Sequence, residues 1–371
     1  MTLSRRKLLA LVGGGTILAA TGAGAGFLAT RTPHKALEPW TLAGTYGEIR
    51  RDALSYALLA PNPHNRQPWL VELVGADTVV LYRDPEKDLP VTDPFGRQLT
   101  IGMGCFIELM EMAAAQMTYG VETVLFPSGE GPNDPVARCV FTPGTGTPSA
   151  LFAHVLNRRS HKDAFESKPV PSEAADALSD FGAIVTAQED VARLAQIASE
   201  AWLIEMSTQD AYMESIDLLR IGKAEINANP DGIDAGGPMM ETLALLGLFT
   251  REAAADPQNP GSQGVIDSTN DAILNAPAFV VQKTPGNSRA EQIGVGRDWL
   301  RLNLATTALG LAVRPVSQAL QEYPEVAKPY TEIHALCAPE GETVQMLGLL
   351  GYGETPARTP RWSLEEKLLN A

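Results

Sequence analysis

Between residues 60 and 69 the chain reads Ala-Pro-Asn-Pro-His-Asn-Arg-Gln-Pro-Trp, a stretch with little conformational choice. Pro61 and Pro63 end any helix that precedes them, because proline lacks an amide hydrogen and crowds the residue before it. Asn62, Asn65 and Gln67 then place side-chain amides in a turn, each able to donate and accept. Pro68-Trp69 leads into an apolar run, 69–74, followed by a second, 78–82, with Gly75-Ala76-Asp77 between them, the pattern of a β-hairpin. Before the turn, residues 47–60 carry Ile49, Ala53, Tyr56, Ala57 and Ala60 on one helical face. Helix, rigid polar turn and hairpin follow one another here, a mix of elements that an α+β fold accommodates.

About ninety residues later the chain reads Asn157-Arg158-Arg159-Ser160-His161-Lys162. Three cations and a hydroxyl within so short a stretch suit a dianionic phosphate. Between the two segments a helix over about 100–118, apolar almost all round, belongs in an interior. A strand follows at 136–142. The breaker cluster Pro143–Pro148 divides the chain into halves at 47–148 and 149–371. The second half predicts helices at 150–157, from a Ser172 N-cap through Leu178, and over about 190–226. After a Gly/Pro stretch at 229–238 come a helix at 239–254, an irregular stretch at 256–264 and a buried strand at 277–281. A helix at 290–309, strands at 331–337 and 344–350, and a proline-rich tail complete it. Ile101-Gly102-Met103-Gly104 and Ile293-Gly294-Val295-Gly296 open the two long helices with the same pattern, a weak internal repeat.

The formal charge of −15 argues against nucleic acid, whose phosphates need a basic footprint, and suits a small-molecule ligand. Cys105, Cys139 and Cys337 are too sparse for a disulfide framework, and the five histidines show no metal-ligand spacing, so no metal is expected. No GxSxG signature of a serine hydrolase occurs. Residues 1–30 read as a twin-arginine signal, with Arg5-Arg6 before a glycine-rich, moderately apolar run, and 31–46 as a linker. The signal predicts the twin-arginine machinery as a partner and a periplasmic or otherwise extracytoplasmic location. An uncleaved N-terminal anchor is the alternative.

The motifs resemble those of the nitroreductase-like flavoproteins. Ala60–Trp69 is similar to that family's Ala-Pro-Ser-x-x-Asn-x-Gln-Pro-Trp segment, with Asn62 in place of Ser. Arg158–Phe165 is similar to its Arg-Arg-Ser opening, with one extra residue before the Phe. Leu347–Gly353 and Pro360-Arg361 resemble its Gly-Tyr and proline-rich tail. Family members are intertwined homodimers with FMN at the interface. Here the first half keeps one motif and the second half the other. The resemblance therefore implies an Acg-type fused branch: a nitroreductase-like fold of two halves forming an intramolecular pseudo-dimer, monomeric, with one FMN.

It implies Arg158, Arg159, Ser160 and Lys162 for the phosphate and the pyrimidine edge of the flavin, with Arg361 from the tail. Pro61, Asn62, Asn65 and Gln67 would approach the ring or ribityl chain, and Pro315, Val316 and Ser317 would present backbone amides to the ring. No catalytic side chain is assigned, since the cofactor carries the chemistry. The expected function is an exported FMN-dependent oxidoreductase passing hydride to or from a small-molecule electron acceptor, its electron donor unknown. The alternative is an FMN-sequestering protein with residues 229–264 as a lid.

Overall fold

The computed structural model describes residues 30–370, so the twin-arginine expectation lies outside the described residues. The principal helices are α1 (Ile49–Ala57), α2 (Arg97–Gln116), α3 (Gln188–Ser207), α4 (Gln209–Asp217), α5 (Gly222–Ala228), α6 (Pro238–Leu245), α7 (Pro260–Leu274), α8 (Arg289–Ala308) and α9 (Ala327–Cys337). The strands are β1 (Trp69–Val74), β2 (Thr78–Arg83), β3 (Tyr119–Leu125), β4 (Ala137–Pro143), β5 (Ala183–Val185), β6 (Leu219–Ile221), β7 (Ile233–Ala235), β8 (Ala278–Thr284), β9 (Ala312–Pro315) and β10 (Thr343–Gly351). Two four-stranded sheets result, ordered β1-β2-β4-β3 and β5-β8-β10-β9, with a short β6-β7 pair apart from them. Every pairing in the two larger sheets is antiparallel; β6 and β7 run parallel.

Local chemistry sets the element boundaries. The Glu48 carboxylate accepts from the Arg50 and Arg51 amides and starts α1. The buried Asp93 carboxylate takes the Gln98 and Leu99 amides at 3.0 and 2.9 Å and starts α2. A capping box between Ser288 and Glu291 starts α8. Helices α2 and α8 lie against each other, and one core joins α1, β1 and α2 with β8, α8 and β10. Leu54, Trp69, Phe106, Leu300, Val280 and Leu350 all belong to it. The molecule is therefore a mixed helix-and-sheet fold with a core continuous across residue 148.

Several expectations are corrected. Residues 331–337 are helical, within α9, because Ile333 is the position that reaches the core beside α3 while its neighbours are partly exposed. Helix 172–178 begins on Pro171; Ser172 is already helical and caps nothing. The helix expected over 239–254 breaks after Leu245, where Gly247 takes φ 68° and Arg251–Ala254 restarts it. The stretch read as irregular at 256–264 enters α7 at Pro260, with Asn259 as its cap. Tyr119–Leu125, just beyond the helix expected to end near 118 and not expected as a strand, pairs with β4 along its whole length. Residues 34–42, within the expected linker, form two short helices, and Trp40 is 2% exposed with its Nε1 donating to Thr359 O at 2.8 Å.

Candidate functional site

The 60–69 turn is tightly wound. His64, Asn65 and Gln67 have φ of 47°, 52° and 50°, a left-handed conformation costly for residues other than glycine. It is held from within, since the Gln67 amide donates to Asn62 Oδ1 at 2.7 Å and Asn62 Nδ2 to Ala60 O at 3.2 Å. It is also held from outside. Asn65 Nδ2 donates to Pro360 O at 3.1 Å, Gln67 Nε2 to Pro230 O at 2.6 Å, and the Trp362 amide to Gln67 Oε1 at 2.9 Å. Gly102 of α2 lets the turn approach, because a Cβ there would meet Asn62 Cβ at 3.1 Å.

Beside this turn is a cavity of about 240 Å³. Its lining brings together Pro61 and Asn62 from the turn, Ser160 from the cationic segment, and Pro315 and Ser317 from the end of β9. Those three segments are separated by roughly a hundred residues or more of chain, and the sequence singled out each of them. His64, Gln98, Gly102, Cys105, Trp299 and Gln321 also line it. Burial lowers His64 below the ordinary imidazole value and pushes the Cys105 thiol up to about 12. Both groups are thus neutral at neutral pH.

The remaining expected residues fall outside that lining. Arg158 is buried, donating to Asn303 Oδ1 at 2.7 Å and Leu59 O at 2.9 Å, which ties α8 to the end of the first half's helix. Arg361 is equally buried, reaching Asn65 Oδ1 at 2.7 Å and the Leu59 and Ala60 carbonyls at 3.3 Å. Arg159, Arg358 and Arg361 stack around the Trp40 ring at 4.7, 5.3 and 5.7 Å. Burial pushes Arg158 and Arg159 down to about 10 and Arg361 down to about 9, with neighbouring guanidiniums adding to the effect. The Nε atoms of Arg158, Arg159 and Arg361 are buried without partners. Crowded, desolvated cations with donors to spare form a setting for an anion.

Arg159 lines a second cavity of about 100 Å³, directly next in the chain to Ser160 on the first. Lys162 is exposed and paired with Asp234 at 2.9 Å. Asn65 and Gln67 are engaged as described. Val316 is buried, and its amide donates to Leu347 O at 2.9 Å within the second sheet.

Sequence reasoning missed Trp40, Arg358, Trp299 and Gln321. A signal existed for the α2 wall: Gln98, Gly102 and Cys105 recur at helical spacing on one face. None marked Trp40, which stood in an apparent linker.

No family model matches the chain. Over 340 residues it is 25% identical to a Mycobacterium tuberculosis protein provisionally named NAD(P)H nitroreductase Rv3131, covering 86% of this chain and 90% of that one. A 92-residue stretch is 37% identical to a protein of the same organism provisionally named NAD(P)H nitroreductase acg, covering 24% of this chain and 26% of that one. Among solved structures, the FMN-dependent nitroreductase NfnB of Mycobacterium smegmatis, solved with NADPH, aligns with a TM-score of 0.36 and 21% identity over 57% of this chain and 92% of that one. The chain is thus similar to proteins named as nitroreductases, over most of its length to one and over about a quarter of it to the other.

Proposed function

We propose that this protein is an FMN-dependent oxidoreductase of nitroreductase type, transferring hydride to or from a small acceptor. One observation carries the reading: Pro61, Asn62, Ser160, Pro315 and Ser317, from three segments far apart in the chain, line one cavity, and Arg159, next in the chain to Ser160, belongs to a guanidinium cluster around Trp40. The unpartnered Nε atoms there fit a phosphate, and the full-length relative named for NAD(P)H nitroreduction supports the activity class. Bound FMN supplies the two-electron chemistry. The protein's own residues bind, orient and exclude water. Arg158, Arg159 and Arg361 hold the anionic end, while Asn62, Ser160 and Ser317 face the ring. Trp299, Ile101 and Met346 give the cavity an apolar wall. Neutral His64 and the un-ionised Cys105 thiol leave the ring's own charge to be balanced by these donors.

The finer reading is a fused pseudo-dimer, halves 47–148 and 149–371, with one flavin per monomeric chain. The shared Ile-Gly-x-Gly openings of α2 and α8 and the division of the motifs support it. Paired Arg5-Arg6 supports export by the twin-arginine route. A sequestering role has one observation in its favour. Residues 229–235 are fastened over the turn through Pro230 O to Gln67 and through Asp231 to Lys87 and Arg220 at 2.5 and 2.9 Å.

The test is the visible spectrum of the purified protein after incubation with FMN, then rapid mixing with NADPH under anaerobic conditions. Bleaching of bound flavin supports the enzyme. Bound flavin that NADPH does not bleach, and that small quinones or nitroarenes do not reoxidise after reduction with dithionite, supports the store, and absence of flavin binding overturns both.

A further inference from the structure

Behind the cavity wall lies a carboxyl group that the proposed chemistry does not use. Glu205, near the end of α3, is 2% exposed and has no cation paired with it among the described residues. Its Oε2 accepts from Nε2 of Gln321 at 2.9 Å. Gln321 is 4% exposed and lines the cavity, whereas Glu205 does not. The other end of that amide, Oε1, is buried without a partner. Nε2 is committed to the helix behind, and Oε1 is the end of this cavity-lining side chain whose hydrogen bonding is still open. The groups acting on Glu205 are the Gln321 and Gln318 amides and the charge of Glu214 on α4; Tyr323, whose hydroxyl is buried and unpartnered, feels Glu205 in turn. Burial pushes Glu205 up to about 7.

A side-chain amide has two unlike ends, and its orientation follows its partner. An ionised carboxylate only accepts, so it holds Nε2. A protonated carboxyl donates to Oε1, and the amide turned end for end shows Nε2 to the cavity. We infer that Glu205 is a positioning residue whose protonation selects whether Gln321 offers a donor or an acceptor to the polar edge of a planar nitrogen heterocycle in the cavity. This rests on the flavin reading of the site. Oxidised isoalloxazine presents mostly acceptors along that edge, so the donor state, with Glu205 protonated, suits it.

FMN titrations of the full chain between about pH 5.5 and about pH 8.5 test the switch, with His64 on the cavity and the second ionisation of the FMN phosphate, at about 6, as the other titrations in that window. Affinity is expected to fall about tenfold toward alkaline pH, the worth of one hydrogen bond, with its break near the Glu205 value. Glu205→Gln should flatten the profile to within about twofold, since the replacement cannot titrate. A flat wild-type profile, or a break unchanged in Glu205→Gln, overturns the inference. A second readout needs no flavin: the side-chain amide nitrogen resonance of Gln321, assigned with Gln321→Leu, should shift through the same break in cofactor-free protein. A stationary resonance overturns the switch. A shifting resonance in a protein that binds no FMN would sink the proposed function alone and support the switch.

Discussion

Gly104 and Gly296 lie back to back where α2 and α8 cross: a Cβ built on Gly296 would come within 2.9 Å of Gly104 Cα, and one built on Gly104 within 3.0 Å of Gly296 Cα. The contact is reciprocal. The nearest obstacle to Gly104 is the carbonyl of Ile293, and to Gly296 the carbonyl of Ile101, each three residues before the opposing glycine. Such an exchange, i against j and j against i, is what a two-fold axis produces between identical surfaces.

Gly296→Ala should therefore lower stability by roughly 1–3 kcal/mol or more, because the clash is with backbone that cannot rotate away. Gly294→Ala is the matched control. It has nothing within 4 Å, and alanine in a helix interior gains about 0.5–1 kcal/mol. Urea denaturation of the two variants should move in opposite directions.

Arg159 and Arg50 should separate in kind. Arg159→Ala removes a cation that stacks on Trp40 and carries an unpartnered Nε, so FMN affinity should fall by about 1.5–3 kcal/mol with little change in folding. Arg50→Ala removes a buried side chain that donates to the Val74, Gly75 and Thr78 carbonyls, and should lower stability while FMN affinity holds. Isothermal titration alongside thermal melting checks both. Equal losses of affinity would place the anion site in the wrong half.

What the sequence made legible is what nearby residues dictate. Prolines 61, 63 and 68 define the turn, Gly75-Ala76-Asp77 the hairpin, and unbroken apolar periodicity places α2 and α8 to within a few residues of their observed ends. Thr331–Cys337 is short and mixed, and periodicity alone does not separate strand from helix over such a length; its packing on α3 decides. Trp40 was invisible because its burial depends on Thr359 and on Arg159, Arg358 and Arg361, far along the chain. The Glu205–Gln321 pair spans 116 positions, and nothing local to either residue signals it. The segments that supply part of the cavity lining were readable, whereas the layer behind them was written in long-range contacts.

Glu205 also fixes a pH dependence of stability. Its folded value, about 7, is above the ordinary glutamate value of 4.5, so the native state binds the extra proton between those limits. The contribution is complete below the ordinary value and is lost as pH rises toward 7, a change on the order of 3 kcal/mol. Glu205→Gln should remove that slope. Denaturation midpoints of both proteins at several pH values across the window check it, and parallel profiles would show that the carboxyl titrates normally.

One flavin per chain, in a monomer, is the sharpest consequence of the fused arrangement proposed above. A dimeric flavoprotein whose site draws on two subunits loses the site when diluted below its dissociation constant. In this chain, Leu59 O accepts from both Arg158 and Arg361, at 2.9 and 3.3 Å, so the 60–69 turn, the cationic segment and the tail meet within one polypeptide. The core shared by α2 and α8 is likewise intramolecular. Flavin released from denatured protein should give a ratio near one. Light scattering across a dilution series, with flavin fluorescence followed in parallel, should show a constant mass and no release beyond that set by the FMN affinity itself. A ratio near two would mean that the second half-site is intact. Flavin release that tracks a fall from dimer to monomer mass would mean that the site spans two chains, and the intramolecular reading would fail.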